Sequence, residues 1–211
     1  MSLGTLVRNR LGSLEVPAAN LYRSAFINLD DLATTLLSLG PARRVLEVGC
    51  GDAALAHRLT ARSPTSSYLG IDIAPAPGRL FLGDPDRARF RSMSTSQLIA
   101  EDPEPFDLVM IVDVLHHVPV PQRRQLIQDA ASLAAPGAVL AIKDWERDAG
   151  AAHWLAYAAD RYISGDRTVD FPSRRELRSA IATALPDWAP FLETRIPPLR
   201  NNVLYALRKD A

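Results

Sequence analysis

Between residues 44 and 143 short apolar runs alternate with helical patterns, and this alternation restricts the chain to an α/β architecture of parallel βαβ units. Arg44–Val48 (RVLEV) reads as a buried strand, Asp52–Arg62 as a helix and Tyr68–Ile71 as a strand ending at Asp72. Ala88–Met93 reads as a short strand, Phe106–Val112 (FDLVMIV) as a strongly apolar one and Pro121–Ala134 as a helix. Ala135-Pro136-Gly137 reads as a turn into a strand over Ala138–Lys143. Crossovers between parallel strands are right-handed in nearly all proteins. The pattern changes after Asp144: Ala151–Ile163 looks helical, and Ser173-x-x-Glu176 is a capping box opening another helix. The runs Phe191–Ile196 and Asn202–Arg208 are linked closely enough to be antiparallel neighbours. Ahead of the first strand, leucines and Val7 at helical spacing from Leu3 to Leu14 predict an amphipathic helix, and Asn28–Leu39 predicts a second, stopped by Gly40-Pro41.

The first strand runs directly into Gly49-Cys50-Gly51-Asp52-Ala53-Ala54. Strand, glycine turn and helix make the general nucleotide-binding layout, because glycine permits a tight turn and lets a ligand approach the backbone. Alone, the turn equally fits a strand-to-helix corner with no ligand. Three acidic positions add to it. Glu47 lies within a buried strand, where a carboxylate is costly unless a partner such as a ligand ammonium compensates it. Asp72 ends the next strand, about 20 residues after the turn, where a carboxylate can accept both hydroxyls of a ribose. Asp113 follows the apolar strand and opens Asp113-Val114-Leu115-His116-His117. All three fall at C-terminal strand ends, where open α/β sheets bind their ligands.

Taken together, VLEVGCGDAALA (45–56), GIDIAP (70–75), FDLVMIVDVLHHV (106–118) and APGAVLAIKD (135–144), with the closing hairpin, resemble the class I S-adenosylmethionine-dependent methyltransferases over about residues 43–208. The resemblance implies a Rossmann-like three-layer α/β sandwich whose seven-stranded sheet has the order 3-2-1-4-5-7-6, strand 7 antiparallel. It implies S-adenosylmethionine as cofactor, bound by a domain over 41–211 with a helical lid or cap over 1–40 and a substrate-side helical insertion at about 145–170. Glu47, Gly49, Cys50 and Gly51 would surround the methionine half, and Asp72 would hold the ribose. Ile73 and Met93 would pack by the adenine, Ser94 would meet its amino group, and Asp113 and Val114 would close over the methionine end. Many relatives have an acidic residue where Ser94 stands.

Methyl transfer needs little beyond alignment of nucleophile, methyl and sulfur, with a base where the nucleophile carries a proton. His116 and His117 follow the fourth strand and Asp144 ends the neighbouring fifth, so a His–Asp pair there is the candidate catalytic unit. Either histidine could equally pack on the sheet or fix the loop. Tyr22, Trp145, His153, Trp154 and Tyr157 are the candidate substrate-binding side chains, set against a plainer reading in which most of them pack on the core. Cys50 has no activating base in sequence and reads as a small structural side chain.

Lysine and arginine balance aspartate and glutamate at 24 each, so no global field draws the chain to nucleic acid or an acidic membrane. One cysteine makes no internal disulfide, no apolar run is long enough to span a bilayer, and no signal-peptide core is present; a cytoplasmic location is expected. No spacing of His, Cys and carboxylates predicts a closed metal site. The expected partner is therefore a small-molecule substrate, with no nucleic acid and no membrane, and a natural-product tailoring role fits the LHH motif. Oligomeric state stays open. A nicotinamide-dependent oxidoreductase is the rival, disfavoured because Glu47 would repel a pyrophosphate and an antiparallel end hairpin is unexpected there. A nucleic-acid or protein methyltransferase would carry a basic extension or a different motif after strand 4. A non-methylating cyclase or binding protein that keeps fold and cofactor is the remaining alternative.

Overall fold

A computed structural model describes residues 27–63, 67–147, 169–198 and 201–209. Seven strands form one sheet: β1 (Arg44–Val48), β2 (Ser67–Asp72), β3 (Ala88–Ser92), β4 (Phe106–Val112), β5 (Ala134–Trp145), β6 (Trp188–Ile196) and β7 (Asn202–Lys209). Their order is β3-β2-β1-β4-β5-β7-β6. The first five pair in parallel, and β7 runs antiparallel to both β5 and β6. Fold class, strand order and the reversed last strand thus match the expectation. Among the described residues the helices are α1 (Leu29–Ser38), α2 (Ala54–Arg62), α3 (Thr95–Ala100), α4 (Val120–Ser132) and α5 (Arg174–Ala184), with a 3-10 turn at Leu115–His117.

Alternation along the strands sends side chains to two cores. Val45, Leu108, Met110, Val139 and Ala141 meet Leu32, Leu36, Leu55 and Leu59 of α1 and α2 on one face. Leu46, Val109, Ile111, Leu140 and Ile142 meet Leu98, Ile127, Leu177 and Ile181 of α3, α4 and α5 on the other. Both sheet faces are covered, which is why β4 reads as a nearly continuous apolar run from Leu108 to Val112. Of the expected N-terminal cap, only residues from Ile27 onward are described; α1 packs on the sheet, with Asn28 accepting from the amides of Asp30 and Asp31 as its N-cap.

Three boundaries differ from expectation. Ala135-Pro136-Gly137 lies inside β5 rather than before it: Phe106 pairs with Ala134, but Leu108 pairs with Val139, so the intervening residues bulge from the ladder, Gly137 at φ +74°. β6 begins earlier, at Trp188, and carries Pro190 because it is an edge strand. Helix α3 was not expected; its signal is the capping box Ser94-x-x-Gln97.

Candidate active site

The cofactor-side residues gather at the C-terminal ends of β1, β2 and β4. The turn after β1 is left-handed at Gly49 (φ +75°), Gly51 (φ +52°) and Ala53 (φ +71°). A Cβ on Gly49 would stand 2.2 Å from Val114 Cγ2, so this glycine is needed for packing as well as for its φ. A Cβ on Gly51 would meet nothing, so the backbone there faces open space. Gly49 and Cys50 donate to the Ile71 carbonyl at 2.7 and 3.1 Å, tying the turn to β2. The Asp72 carboxylate accepts from the Gly51 amide at 2.9 Å with one oxygen and from the Ala74 amide at 2.8 Å with the other, which fixes its direction while lone pairs remain. Next to it, Ile73 is 84% exposed, an apolar surface beside a fixed carboxylate. Met93 is buried in the second core. Ser94 caps α3, its hydroxyl accepting from the Gln97 amide at 3.3 Å, so capping accounts for a serine here.

Glu47 is buried, and the Tyr68 hydroxyl from β2 donates to its Oε2. Burial pushes its carboxyl from the ordinary value of 4.5 to about 8; the Tyr68 bond opposes that rise, and the charges of Asp52, Asp72 and Asp113 add to it. A buried carboxyl short of positive charge, beside an open glycine turn and a directed aspartate, suits the methionine ammonium and the ribose of S-adenosylmethionine. Cys50 is buried, and burial followed by neighbouring Glu47 and Asp72 raises its thiol far above the ordinary range, so it is no nucleophile.

The second half of the site lies at the ends of β4 and β5. His116 Nδ1 stands 2.6 Å from Asp144 Oδ1, and the His116 amide donates to Asp144 Oδ2 at 3.1 Å. The Trp145 amide adds a third bond, at 2.7 Å. Burial alone would raise the Asp144 carboxyl, but His116, the Trp145 amide and Lys143 outweigh it and hold it below its ordinary value. Asp144 is therefore ionised and only accepts, so the proton between them sits on His116 Nδ1. Phe171 stacks on the His116 ring at 4.8 Å and 20°, and Trp145 meets Phe171 edge-on. Arg123 of α4 holds this cover by donating to the carbonyls of Val118 and Asp170 at 2.9 and 2.6 Å, while the Asp170 amide donates to the His116 carbonyl at 2.9 Å. His117 is exposed, its ring centroid 4.0 Å from that of His116.

Asp113, at φ +57°, joins the halves: its amide donates to the Lys143 carbonyl, and its Oδ1 lies 2.5 Å from Lys143 Nζ. Val114 packs against Gly49 and the second core. The structure thus brings together Glu47, Gly49, Cys50, Gly51 and Asp72 on one side and Asp113, His116, Asp144 and Trp145 on the other. Tyr22, His153, Trp154 and Tyr157 lie outside the described residues, as does most of the expected 145–170 insertion. Sequence reading missed Tyr68, Lys143 and Phe171. A lysine and an aspartate side by side at the end of an apolar strand was the available signal for Lys143; Tyr68 and Phe171 reach the site only through tertiary pairing.

A family profile described as a methyltransferase domain matches residues 19–184. The ubiquinone biosynthesis O-methyltransferase of Xanthomonas campestris pv. campestris (strain B100) is 32% identical over 160 residues, 74% of this chain and 64% of its own. The chain spans roughly half to two thirds of the length of the curated relatives it matches first. Among solved structures, the mitomycin 7-O-methyltransferase MmcR superposes with a TM-score of 0.70 at 15% identity, covering 86% of this chain and 53% of that one. The N-methyltransferase NodS from Bradyrhizobium japonicum superposes with a TM-score of 0.59 at 17% identity, covering 86% of this chain and 96% of that one. At such identities the structures speak for the fold alone, but the profile covers most of the sequence and its span includes the glycine turn, Asp72 and the Asp113–His117 loop: the chain belongs to the methyltransferase-domain family of class I, S-adenosylmethionine-dependent enzymes.

Proposed function

We propose that this chain moves the methyl group of S-adenosylmethionine onto a hydroxyl oxygen of a small molecule, with His116 as general base. The observation that carries the choice of oxygen is the buried His116–Asp144 pair at 2.6 Å, because an alcohol or phenol must lose its proton as it attacks, and Nε2 can take it. When bound, the cofactor would supply an electrophilic methyl on a sulfonium, whose sulfur becomes a neutral thioether once the methyl is transferred. Glu47 and Asp72 hold the methionine and ribose ends, and Ile73 and Met93 flank the adenine; Ser94 is the candidate hydroxyl for its amino group. Asp113 and Val114 wall the methionine end, and His117 lies at the mouth beside His116. Phe171 and Trp145 keep water from the dyad, which strengthens its electrostatics. Tyr22, His153, Trp154 and Tyr157 are the proposed acceptor-side residues.

The similarity to O-methyltransferases of ubiquinone biosynthesis supports oxygen as the target, and the fold shared with a mitomycin-modifying enzyme supports a tailoring role. Balanced charge supports a small-molecule acceptor over nucleic acid, and among the described residues no helix is long and apolar enough to cross a membrane; a cytoplasmic location is proposed with these. The test is transfer of labelled methyl to phenolic and alcoholic acceptors by the wild type and by His116→Ala, alongside calorimetry with S-adenosylhomocysteine. Transfer that His116→Ala loses while binding is kept supports the reading. Binding without transfer to any acceptor would favour a non-methylating protein on this fold.

A further inference from the structure

The two carboxyl oxygens of Glu47 differ in their surroundings. On the first-core face of β1, Glu47 follows Val45 by two residues, and its lateral neighbour on β2 is Gly70, which offers no side chain. A Cβ on Gly70 would stand 2.7 Å from the Phe90 ring and 2.8 Å from Cys50 Sγ, so this position is closed to any larger residue that could meet Glu47 from the side. The preceding residue on the same face of β2 is Tyr68, buried in that core with its ring tilted against Phe90 at 6.2 Å. Its hydroxyl reaches forward and donates to Glu47 Oε2. Oε1 accepts no hydrogen bond from a described residue, and it is not sealed from water. The titratable groups around this pair are Cys50 and Asp52 in the turn, Asp72 at the end of β2 and Asp113 after β4. None of them is a cation.

We propose that Tyr68 is a positioning residue for cofactor binding: by holding Oε2 of Glu47 it keeps Oε1 turned to the opening at the glycine turn, where the methionine ammonium of S-adenosylmethionine would be received. This rests on the reading of Glu47 as the partner of that ammonium. The last torsion of a glutamate is soft, so an unheld carboxyl would lose its direction, and ordering it again would cost affinity. With Oε2 accepting, the carboxyl proton of the ligand-free protein sits on Oε1, the oxygen that the ammonium meets. The same hydroxyl favours the ionised carboxyl, against burial and the three aspartates. Tyr68 thus acts on affinity and on proton release together, both through Glu47.

The experiment is calorimetric titration of the full chain with S-adenosylhomocysteine, from pH 6 to 9.5 and in buffers of different ionisation enthalpy. The proteins are wild type, Tyr68→Phe, Tyr68→Met, Glu47→Gln and the Tyr68→Phe/Glu47→Gln double variant, each checked for a cooperative thermal transition. Two variants lacking the hydroxyl guard against one failing to fold. Both are expected to bind about tenfold more weakly than wild type at pH 7, and their proton release on binding should persist to higher pH. In the Glu47→Gln background, Tyr68→Phe should bring no further loss, because the residue it serves is gone. A loss of the same size in both backgrounds would mean that the ring merely supports the fold, and overturns the proposal. So does wild-type affinity in folded Tyr68→Phe while Glu47→Gln binds weakly. Wild-type affinity in Glu47→Gln instead overturns the reading of Glu47 itself, and the role of Tyr68 with it.

Discussion

Replacing Glu47 by glutamine should make the ligand-free protein more stable while weakening its hold on the cofactor. In the unfolded chain a glutamate gives up its proton near 4.5, whereas burial in the sheet keeps Glu47 protonated to about 8. Between those values the folded state binds the extra proton, so stability falls as pH rises through the window and levels off above it. At 1.36 kcal/mol per pH unit, the span from 4.5 to 7 costs the folded state about 3 kcal/mol at neutral pH. Glutamine keeps the shape, still accepts from Tyr68, and carries no proton to lose. The variant should therefore gain about 3 kcal/mol at pH 7, roughly 6–12 °C in Tm for a chain of this size, and its stability should be flatter than wild type between pH 4.5 and 8. S-adenosylmethionine binding should move the other way: the wild type, whose carboxyl can ionise against the ligand ammonium, should release a proton on binding below pH 8, and the variant should not. Thermal unfolding from pH 5 to 9, with calorimetry in buffers of different ionisation enthalpy, reads both effects. A Glu47→Gln variant less stable than wild type at pH 7, with the same pH slope, would refute the reasoning.

Further perturbations separate the parts of the site. His116→Ala should lower kcat by about 10²–10⁴ with S-adenosylhomocysteine affinity kept, whereas exposed His117→Ala should cost less than about tenfold; steady-state kinetics beside calorimetry distinguishes the two. Gly49→Ala drives a methyl to 2.2 Å from Val114 and should fail to fold or melt far lower, while Gly51→Ala should fold at a cost of about 1–2 kcal/mol and lose cofactor binding, because its methyl enters the open space before the turn. Asp72→Ala should weaken cofactor binding by about 10²-fold through loss of charge-assisted bonds to the ribose, and calorimetric binding within about threefold of wild type would count against the ribose role.

The cofactor half was legible in sequence because it is local. Gly49, Cys50 and Gly51 are contiguous with the strand that delivers them, and Asp72 sits one βαβ step away, so spacing alone places them. What surrounds them was not. Tyr68 reaches Glu47 only because β1 and β2 pair Val45 with Tyr68 and Glu47 with Gly70, a register that no local pattern encodes. The His116–Asp144 pair followed from the order of β4 and β5, but Phe171, which covers it, belongs to a segment before α5 with no period of its own, held there by Arg123. Ser94 shows one sequence position serving two readings: the same hydroxyl that could meet an adenine amino group caps a helix too short to announce itself by periodicity.

Glu47 and Asp144 are both carboxyls almost sealed from water, near the C-terminal ends of parallel strands that flank β4 on either side, yet they titrate in opposite directions. Burial acts on both alike, so the difference lies in partners. Glu47 faces a neutral hydroxyl and three aspartates, whereas Asp144 faces an imidazole, a backbone amide and a neighbouring ammonium. Such divergence is how one site assigns acid and base roles to chemically identical groups. It leaves the β1 side short of one positive charge and the β5 side balanced. A sulfonium ligand carrying an ammonium answers the first condition, and an acceptor that arrives neutral and departs without its proton suits the second. The reverse arrangement, an ionised Glu47 with a protonated Asp144, would set Glu47 against the charges of Asp52, Asp72 and Asp113 and would take from His116 Nδ1 its ionised acceptor. The charge pattern, more than the presence of any single histidine, is what supports the proposed deprotonation of a hydroxyl acceptor.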